Sequence, residues 1–294
     1  MNNCKLCPRN CGVNRTNDEL GYCKAPNKLV VAKAYLHKWE EPCLTGKLGS
    51  GTIFFSYCNL RCIFCQNYDI STKHFGKTIT IDRFSEICLE LQEKGATNIN
   101  LVTPTHFVPL IIEGLKLAKT KGLNVPIVYN SSAYENVDTI KKLEGIVDIY
   151  LPDLKYYSND LAIKYSNAPN YFKYATLAID EMYKQVGKCV FDEDGNLIKG
   201  VIVRHLMLPT HLEDSKNIIK YLYDKYQDNV YISIMSQYTP IKTLKYNELN
   251  NTINFNEYEK LLDYAYTIGI RNAYIQEEES CSESFIPVFD NEGV

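Results

Sequence analysis

No stretch of the sequence approaches the ~20 consecutive apolar residues that a membrane-spanning helix needs. The opening residues Met1-Asn2-Asn3-Cys4 hold no basic segment followed by an apolar run, so no secretory signal is visible. Charge is nearly balanced, at -3 over 294 residues, and the basic residues are scattered rather than blocked together. That pattern gives no footprint for nucleic acid or a membrane surface. Low-complexity segments are absent, and no constant repeat period marks a solenoid. A cytoplasmic protein is expected, with no nucleic-acid or membrane partner. Cysteine, by contrast, is abundant, with 11 residues. A chain this long can bury a core without covalent staples. In a reducing compartment, thiols at short spacings point to metal or catalysis rather than disulfides.

Three zones divide the chain. Residues 1–27 are rich in Cys, Asn, Gly and Pro and show no periodicity, which predicts a small knob organised by something other than a hydrophobic core. Residues 28–50 read as a connector, so residues 1–50 form an N-terminal extension and 51–294 the main domain with a C-terminal tail. From residue 52 short apolar runs recur at 52–55, 98–102, 126–129, 148–151, 201–208 and 230–235. They are dense in Ile, Val, Leu and Tyr, as buried parallel strands are. Helical patterns at 81–94, 109–121, 135–143, 171–186, 212–226 and 256–268 alternate with them. Six βα units with a parallel sheet are therefore expected, wound right-handedly into a barrel or a doubly wound sheet. In either architecture ligands bind at the carboxyl ends of the strands. Functional residues should then sit just after the apolar runs.

Directly after the first run comes Tyr57-Cys58-Asn59-Leu60-Arg61-Cys62-Ile63-Phe64-Cys65-Gln66-Asn67. Three thiolates in a C-x3-C-x2-C loop can hold three irons of a [4Fe–4S] cube and leave the fourth without a protein ligand. An open metal position is the mark of a catalytic rather than a structural site. Zinc is the alternative, but a fourth ligand at fitting spacing is missing nearby; His74 is the nearest.

This motif, its place after the first strand and the aromatic Phe64 before the last cysteine resemble the radical S-adenosylmethionine (SAM) superfamily. The resemblance implies a partial (β/α)6 barrel of the TIM type. It also implies an oxidoreductase whose cluster, held by Cys58, Cys62 and Cys65, passes an electron to SAM. The 5′-deoxyadenosyl radical so formed abstracts hydrogen from a substrate. A low-potential electron donor, flavodoxin or ferredoxin, is implied as partner. Within the superfamily the chain is similar to the pyruvate formate-lyase activating enzymes, and most to their PflX-type branch. The similarity is carried by Cys4–Val13, Glu40-Glu41-Pro42, Gly49–Ser56, Asn100–His106 and Ile149–Lys155.

Activating enzymes bind the SAM amino group with a Gly-Gly-Glu segment after the second strand. Here that slot reads Thr103-Pro104-Thr105, whose hydroxyls and carbonyls can accept from an ammonium. Asp153 and Lys155, after the fourth strand, match residues that lie beside SAM, and a lysine suits its carboxylate as a point charge. Asn130 takes the place of a polar residue near SAM. Arg204 lies inside the fifth run and needs a partner there: a core carboxylate, or the SAM carboxylate or ribose. His205 falls on the opposite side of that strand and reads as structural. Gln237, after the sixth strand, is placed near adenine or substrate.

Cys4, Cys7, Cys11 and Cys23 form C-x2-C-x3-C-x11-C in the core-poor N-terminal zone. Four thiolates suit structural zinc or an auxiliary [4Fe–4S] cluster, and residue type does not decide between them. Cys88 reads as a small core residue and Cys281 as part of an acidic tail. Two substrate classes stay open, a glycyl radical enzyme to be activated and a peptide or small molecule to be modified directly. A non-catalytic iron–sulfur electron carrier or sensor is the alternative of another kind.

Overall fold

The computed structural model describes residues 2–276 and 287–294, so Cys281 lies outside the described residues. The strands in chain order are β1 (Leu29–His37), β2 (Ser50–Phe55), β3 (Lys77–Ile79), β4 (Ile99–Val102), β5 (Ile127–Ser131), β6 (Ile149–Pro152), β7 (Val190–Phe191), β8 (Leu197–Leu206), β9 (Tyr231–Met235) and β10 (Ala273–Ile275). They form one sheet in the order β10-β9-β8-β6-β5-β4-β2-β1-β3, with β7 paired to β8. The path from β2 to β10 is parallel throughout, and the helices between its strands give an α/β fold with a mostly parallel sheet.

All six expected strands are present. The helix Tyr171–Val186 has the predicted bounds, and Ile81–Glu93, Val108–Thr120, Leu212–Tyr226 and Phe255–Ile268 differ by a residue at most. Two expectations need correction. The 28–50 stretch is not a bare connector: β1 lies within it and pairs antiparallel with β2 from Val31↔Phe55 to His37↔Ser50. The parallel path also gains a short seventh strand, β10, beside β9. Both were hidden because β1 carries Lys33 in an otherwise apolar run and β10 is only three residues long. Lys33 is tolerated because its ammonium reaches Asp290 at 3.1 Å and Glu292 at 2.9 Å on the C-terminal segment. That segment also runs along β1, through Asn291 N to Ala32 O and Ala34 N to Glu292 O. It thereby occupies backbone groups that an uncovered edge would expose.

Register levels the strand ends. Phe54 pairs with Val102, Val102 with Asn130, and Ser131 with Pro152, and a further bridge joins Asp153 to Arg204. The residues that follow β2, β4, β5 and β6 therefore share one rim. Behind the sheet, Phe55 packs on Phe84 and Phe107 with ring centroids 5.9 and 6.0 Å away. At the start of β2 a side chain has no room: a Cβ on Gly51 would stand 2.8 Å from both Ala96 Cβ and Asn98 O. Overpacking of this kind costs ~1–3 kcal/mol. Gly51→Val should lower the unfolding free energy by about that amount in urea titration, and unchanged stability would show that β2 can shift to make room.

Candidate active site

After β2 the chain turns through Tyr57 and Arg61, both in the left-handed region with φ of 71° and 56°. Non-glycine residues hold that conformation only where their surroundings fix them. Here the fixing is explicit. Tyr57 N donates to Ile70 O at 2.8 Å and Ile63 N to Tyr165 O at 2.9 Å. The Asn59 amide donates to Tyr134 O at 2.7 Å. Arg9 adds bonds to the carbonyls of Asn59 and Ser166 at 3.0 and 3.1 Å, and to Asn167.

The loop so held puts Cys58, Cys62 and Cys65 on one wall of a cavity of ≈ 240 Å³. Each sulfur accepts a hydrogen bond: Cys58 from Leu60 N at 3.4 Å, Cys62 from Ser166 Oγ at 3.0 Å, and Cys65 from Ser71 Oγ at 3.4 Å. All three are free thiols. Burial, with Cys62 close by, pushes the Cys58 thiol up to about 12 and raises Cys65 as well. A bound cation would supply the missing counter-charge, as metals do for coordinating thiols. Three sulfurs, each with one donor and room in front of them, fit an iron–sulfur cube. Phe64 lines the same wall and meets Tyr238 edge-on at 5.9 Å.

The facing wall comes from the rim. Thr103, Asn130, Asp153, Lys155 and Arg204 all line the cavity, the first four as the strand-end rule predicts and Arg204 from within β8. Asp153 is the hub. Its carboxylate accepts from Arg204 Nε at 2.8 Å and from Lys155 Nζ at 2.7 Å. Burial alone would raise the Asp153 carboxyl, but Arg204 and Lys155 outweigh it and hold it below its usual value. Arg204 further donates to Asn130 Oδ1 at 2.6 Å and to Glu40 Oε2 at 3.3 Å. Of the partners expected for Arg204, the structure shows the carboxylates. Tyr171 braces the hub from below, accepting from Lys155 N at 2.9 Å and lying 2.7 Å from Asp153 O.

Thr105 does not join this wall. It is buried behind it, and its hydroxyl donates to Glu135 Oε1 at 2.6 Å. The reason is local: Thr105 begins the 3-10 turn Thr105–Phe107, which carries it away from the strand end. Only Thr103, in the left-handed region with φ 59°, faces the cavity. His205 is structural, with Nδ1 donating to Leu154 O at 2.8 Å and Nε2 paired with Ser215 Oγ at 2.9 Å. Gln237 lines the cavity.

Sequence reasoning missed Glu40, with His37 and Trp39 beside it, on the same cavity. His37 ends β1 and the other two follow it, and β1 runs antiparallel to β2, so a rule about parallel strand ends could not find them. Glu40 carries the fold's second buried contact to Arg204, and burial lifts its carboxyl above the usual value despite that cation. The four N-terminal cysteines also come together, around a separate cavity. Cys88 is a core residue, as expected. Among the described residues no helix is long and apolar enough to cross a membrane.

Residues 52–222 match the Radical SAM superfamily; this is more than half of the chain, and the chain belongs to that superfamily. Membership makes it an enzyme of a family that uses SAM and a [4Fe–4S] cluster. It is 34% identical over 272 residues to the uncharacterized protein MJ0674 of Methanocaldococcus jannaschii, covering 90% of this chain and 74% of that one. It is 28% identical over 243 residues to the pyruvate formate-lyase-activating enzyme of Clostridium pasteurianum, covering 78% and 87%. Among solved structures, a radical SAM methyltransferase from Sphaerobacter thermophilus superposes with a TM-score of 0.53 at 14% identity. That match covers 77% of this chain but 66% of the other, so it speaks for the fold alone.

Glu135, which holds Thr105, gives a pH test. In an unfolded chain a glutamate ionises near ~4.3, whereas burial pushes Glu135 up to about 7, against the pull of Thr105, Ser131 and Tyr129. Between those values the folded state keeps a proton that the unfolded state has released, so this group's contribution to stability falls as pH rises. The stability of Glu135→Gln relative to the parent should therefore climb between pH ~4.3 and about 7 and then level off. Parallel pH–stability curves for the two proteins would mean that Glu135 is ionised throughout.

Proposed function

We propose that the chain is a radical SAM enzyme of the activating-enzyme-like, PflX-type branch, its sheet curved into a partial (β/α)6 barrel. In this reading Cys58, Cys62 and Cys65 hold the catalytic [4Fe–4S] cluster, SAM occupies the ≈ 240 Å³ cavity, and the four N-terminal cysteines carry a second metal centre. The single observation that carries it is the opposition of three free thiols to a half-buried, mutually paired charge array across one cavity. When bound, the cluster supplies the electron for reductive cleavage of the SAM sulfonium, and so the radical that takes hydrogen from substrate.

The chain's own residues bind and orient. Lys155 spends one of its three donors on Asp153, which leaves two for the SAM carboxylate. Asn130, Thr103 and the carbonyls beside them accept from the ammonium in place of a Gly-Gly-Glu carboxylate. Arg204 and Asp153 hold these groups in position by their mutual contacts. Phe64, Leu206, Met235 and Tyr238 give the cavity its apolar faces, which exclude water from a reactive intermediate.

As substrate we favour a glycine residue of a partner enzyme, from which hydrogen is abstracted to leave a glycyl radical. The similarity to the Clostridium activating enzyme supports this. A low-potential flavodoxin or ferredoxin fits as electron donor. The Thr-Pro-Thr slot and the cysteine-rich knob, which depart from activating enzymes, favour direct modification of a peptide or small molecule as the second reading.

Anaerobic incubation of reconstituted enzyme with dithionite and SAM should yield 5′-deoxyadenosine and methionine. Any one of Cys58→Ala, Cys62→Ala or Cys65→Ala should abolish both; turnover surviving in any of them would sink the ligand assignment, and a wild type that never cleaves SAM would favour an electron carrier. Lys155→Ala should raise the SAM dissociation constant about tenfold in equilibrium dialysis, the equivalent of ~1.4 kcal/mol. An unchanged constant would remove Lys155 from the SAM site.

A further inference from the structure

Outside the active-site cavity lies a small one of ≈ 20 Å³, and Cys4, Cys7, Cys11 and Cys23 all line it. The chain is folded tightly to bring them there. Cys4 N donates to Val13 O and Gly12 N returns to Cys4 O, each at 3.0 Å, while Asn10 N closes a turn onto Cys7 O at 3.0 Å. Gly21 lets the last segment lie flush on the third cysteine: a Cβ there would meet Cys11 Sγ at 2.9 Å. Tyr22 N donates to that same sulfur at 3.2 Å.

The knob has little hydrophobic core to order it. Between residues 2 and 27 the one regular element described is the 3-10 turn Arg15–Asn17. Leu6 and Ala25 are the buried apolar side chains that are not cysteine. Segments this poor in core are held by disulfides or metal, and all four cysteines are free.

His106 gives a second, separate sign of a ligand. It is 3% exposed and lines the same cavity. Its Nε2 lies 2.8 Å from Ser56 O. A carbonyl only accepts, so the proton is on Nε2 and the lone pair on Nδ1. That buried Nδ1 has no hydrogen-bond partner. Buried polar atoms of this kind call for an explanation, and a bound ion or cofactor is one.

Room decides between the two metal centres that the spacing left open. Four thiolates at the Zn–S distance of ~2.3 Å stand almost in contact and leave no space for even a water between them. The cavity among these cysteines is ≈ 20 Å³, above the ~10–15 Å³ that a water requires.

We propose that Cys4, Cys7, Cys11 and Cys23 ligate a second [4Fe–4S] cluster, one cysteine to each iron. This rests on the reading of the knob as a metal centre, but not on the radical chemistry. Complete thiolate ligation leaves no iron open to substrate, which makes this a structural or electron-storing centre rather than a binding site. It borders the radical loop: the Cys7 thiol meets the side chain of Asn59, the neighbour of Cys58.

The test is metal and sulfide quantitation on the full chain, reconstituted anaerobically with iron and sulfide in the presence of zinc. The wild type should carry about eight irons and eight sulfides and no zinc, with two cubane components in its 57Fe Mössbauer spectrum. The triple variant Cys58→Ser/Cys62→Ser/Cys65→Ser should keep about four irons and an electron paramagnetic resonance signal that SAM does not alter. Cys7→Ser/Cys11→Ser should lose those irons and keep the SAM-sensitive signal. One zinc with about four irons in the wild type would overturn the cluster while leaving a metal centre in the knob. About four irons and no zinc would overturn both. The wild-type counts decide the matter even where a variant fails to fold.

Discussion

The active site depends on one carboxylate held between two cations. Asp153 sits between Arg204 and Lys155, and through Arg204 it is joined to Asn130 and Glu40. Four parts of the chain thus meet at one point: the ends of β5 and β6, the C-terminal part of β8, and the turn after β1. Two half-buried cations and two half-buried carboxylates lose part of their hydration here, and mutual contact offsets that cost. Removing one member of such an array leaves another charge without its partner. The array therefore acts as a positioning frame, which holds Asn130 and Lys155 toward the cavity with little freedom to relax.

Opposite that frame, the cysteine loop has no regular structure of its own and is held from outside. Backbone bonds from Ile70 and Tyr165, the Asn59 amide and the Arg9 guanidinium fix its course. Arg9 belongs to the N-terminal knob, so the order of the knob and the shape of the radical loop are linked. Arg15 fastens the other side of the knob by donating to the carbonyls of Ala25, Pro26 and His106. Both arginines spend their donors on backbone carbonyls. A planar, multi-donor guanidinium suits that task, and a lysine would satisfy fewer of these carbonyls.

Much of the fold was legible because its signal is local. Buried parallel strands are short apolar runs, and amphipathic helices repeat every 3.6 residues, so β2, β4, β5, β6, β8 and β9 and the long helices could be found by reading along the chain. The strands that escaped are those whose reason lies elsewhere. Lys33 sits in β1 because Asp290 and Glu292 come back from the far end of the sequence to meet it. No window of residues contains that pairing. β10 is too short to show a period, and its place is set by β9.

The site divides the same way. Sequence by itself determined the cysteine loop, its spacing and its place after the first parallel strand, together with Thr103, Asn130, Asp153 and Lys155 at strand ends and Arg204 within a strand. These follow from chemistry that needs given residue types at given spacings, and from the rule that parallel strands end together. Tertiary structure alone decided that Arg204 turns to Asp153, that Thr105 turns away to Glu135, and that Glu40 enters the cavity from an antiparallel strand. It also decided that four cysteines spread over 20 residues surround one space, and how large that space is. Each is a question of direction and distance between segments remote in sequence, set by the packing of the sheet, which residue order along the chain does not record.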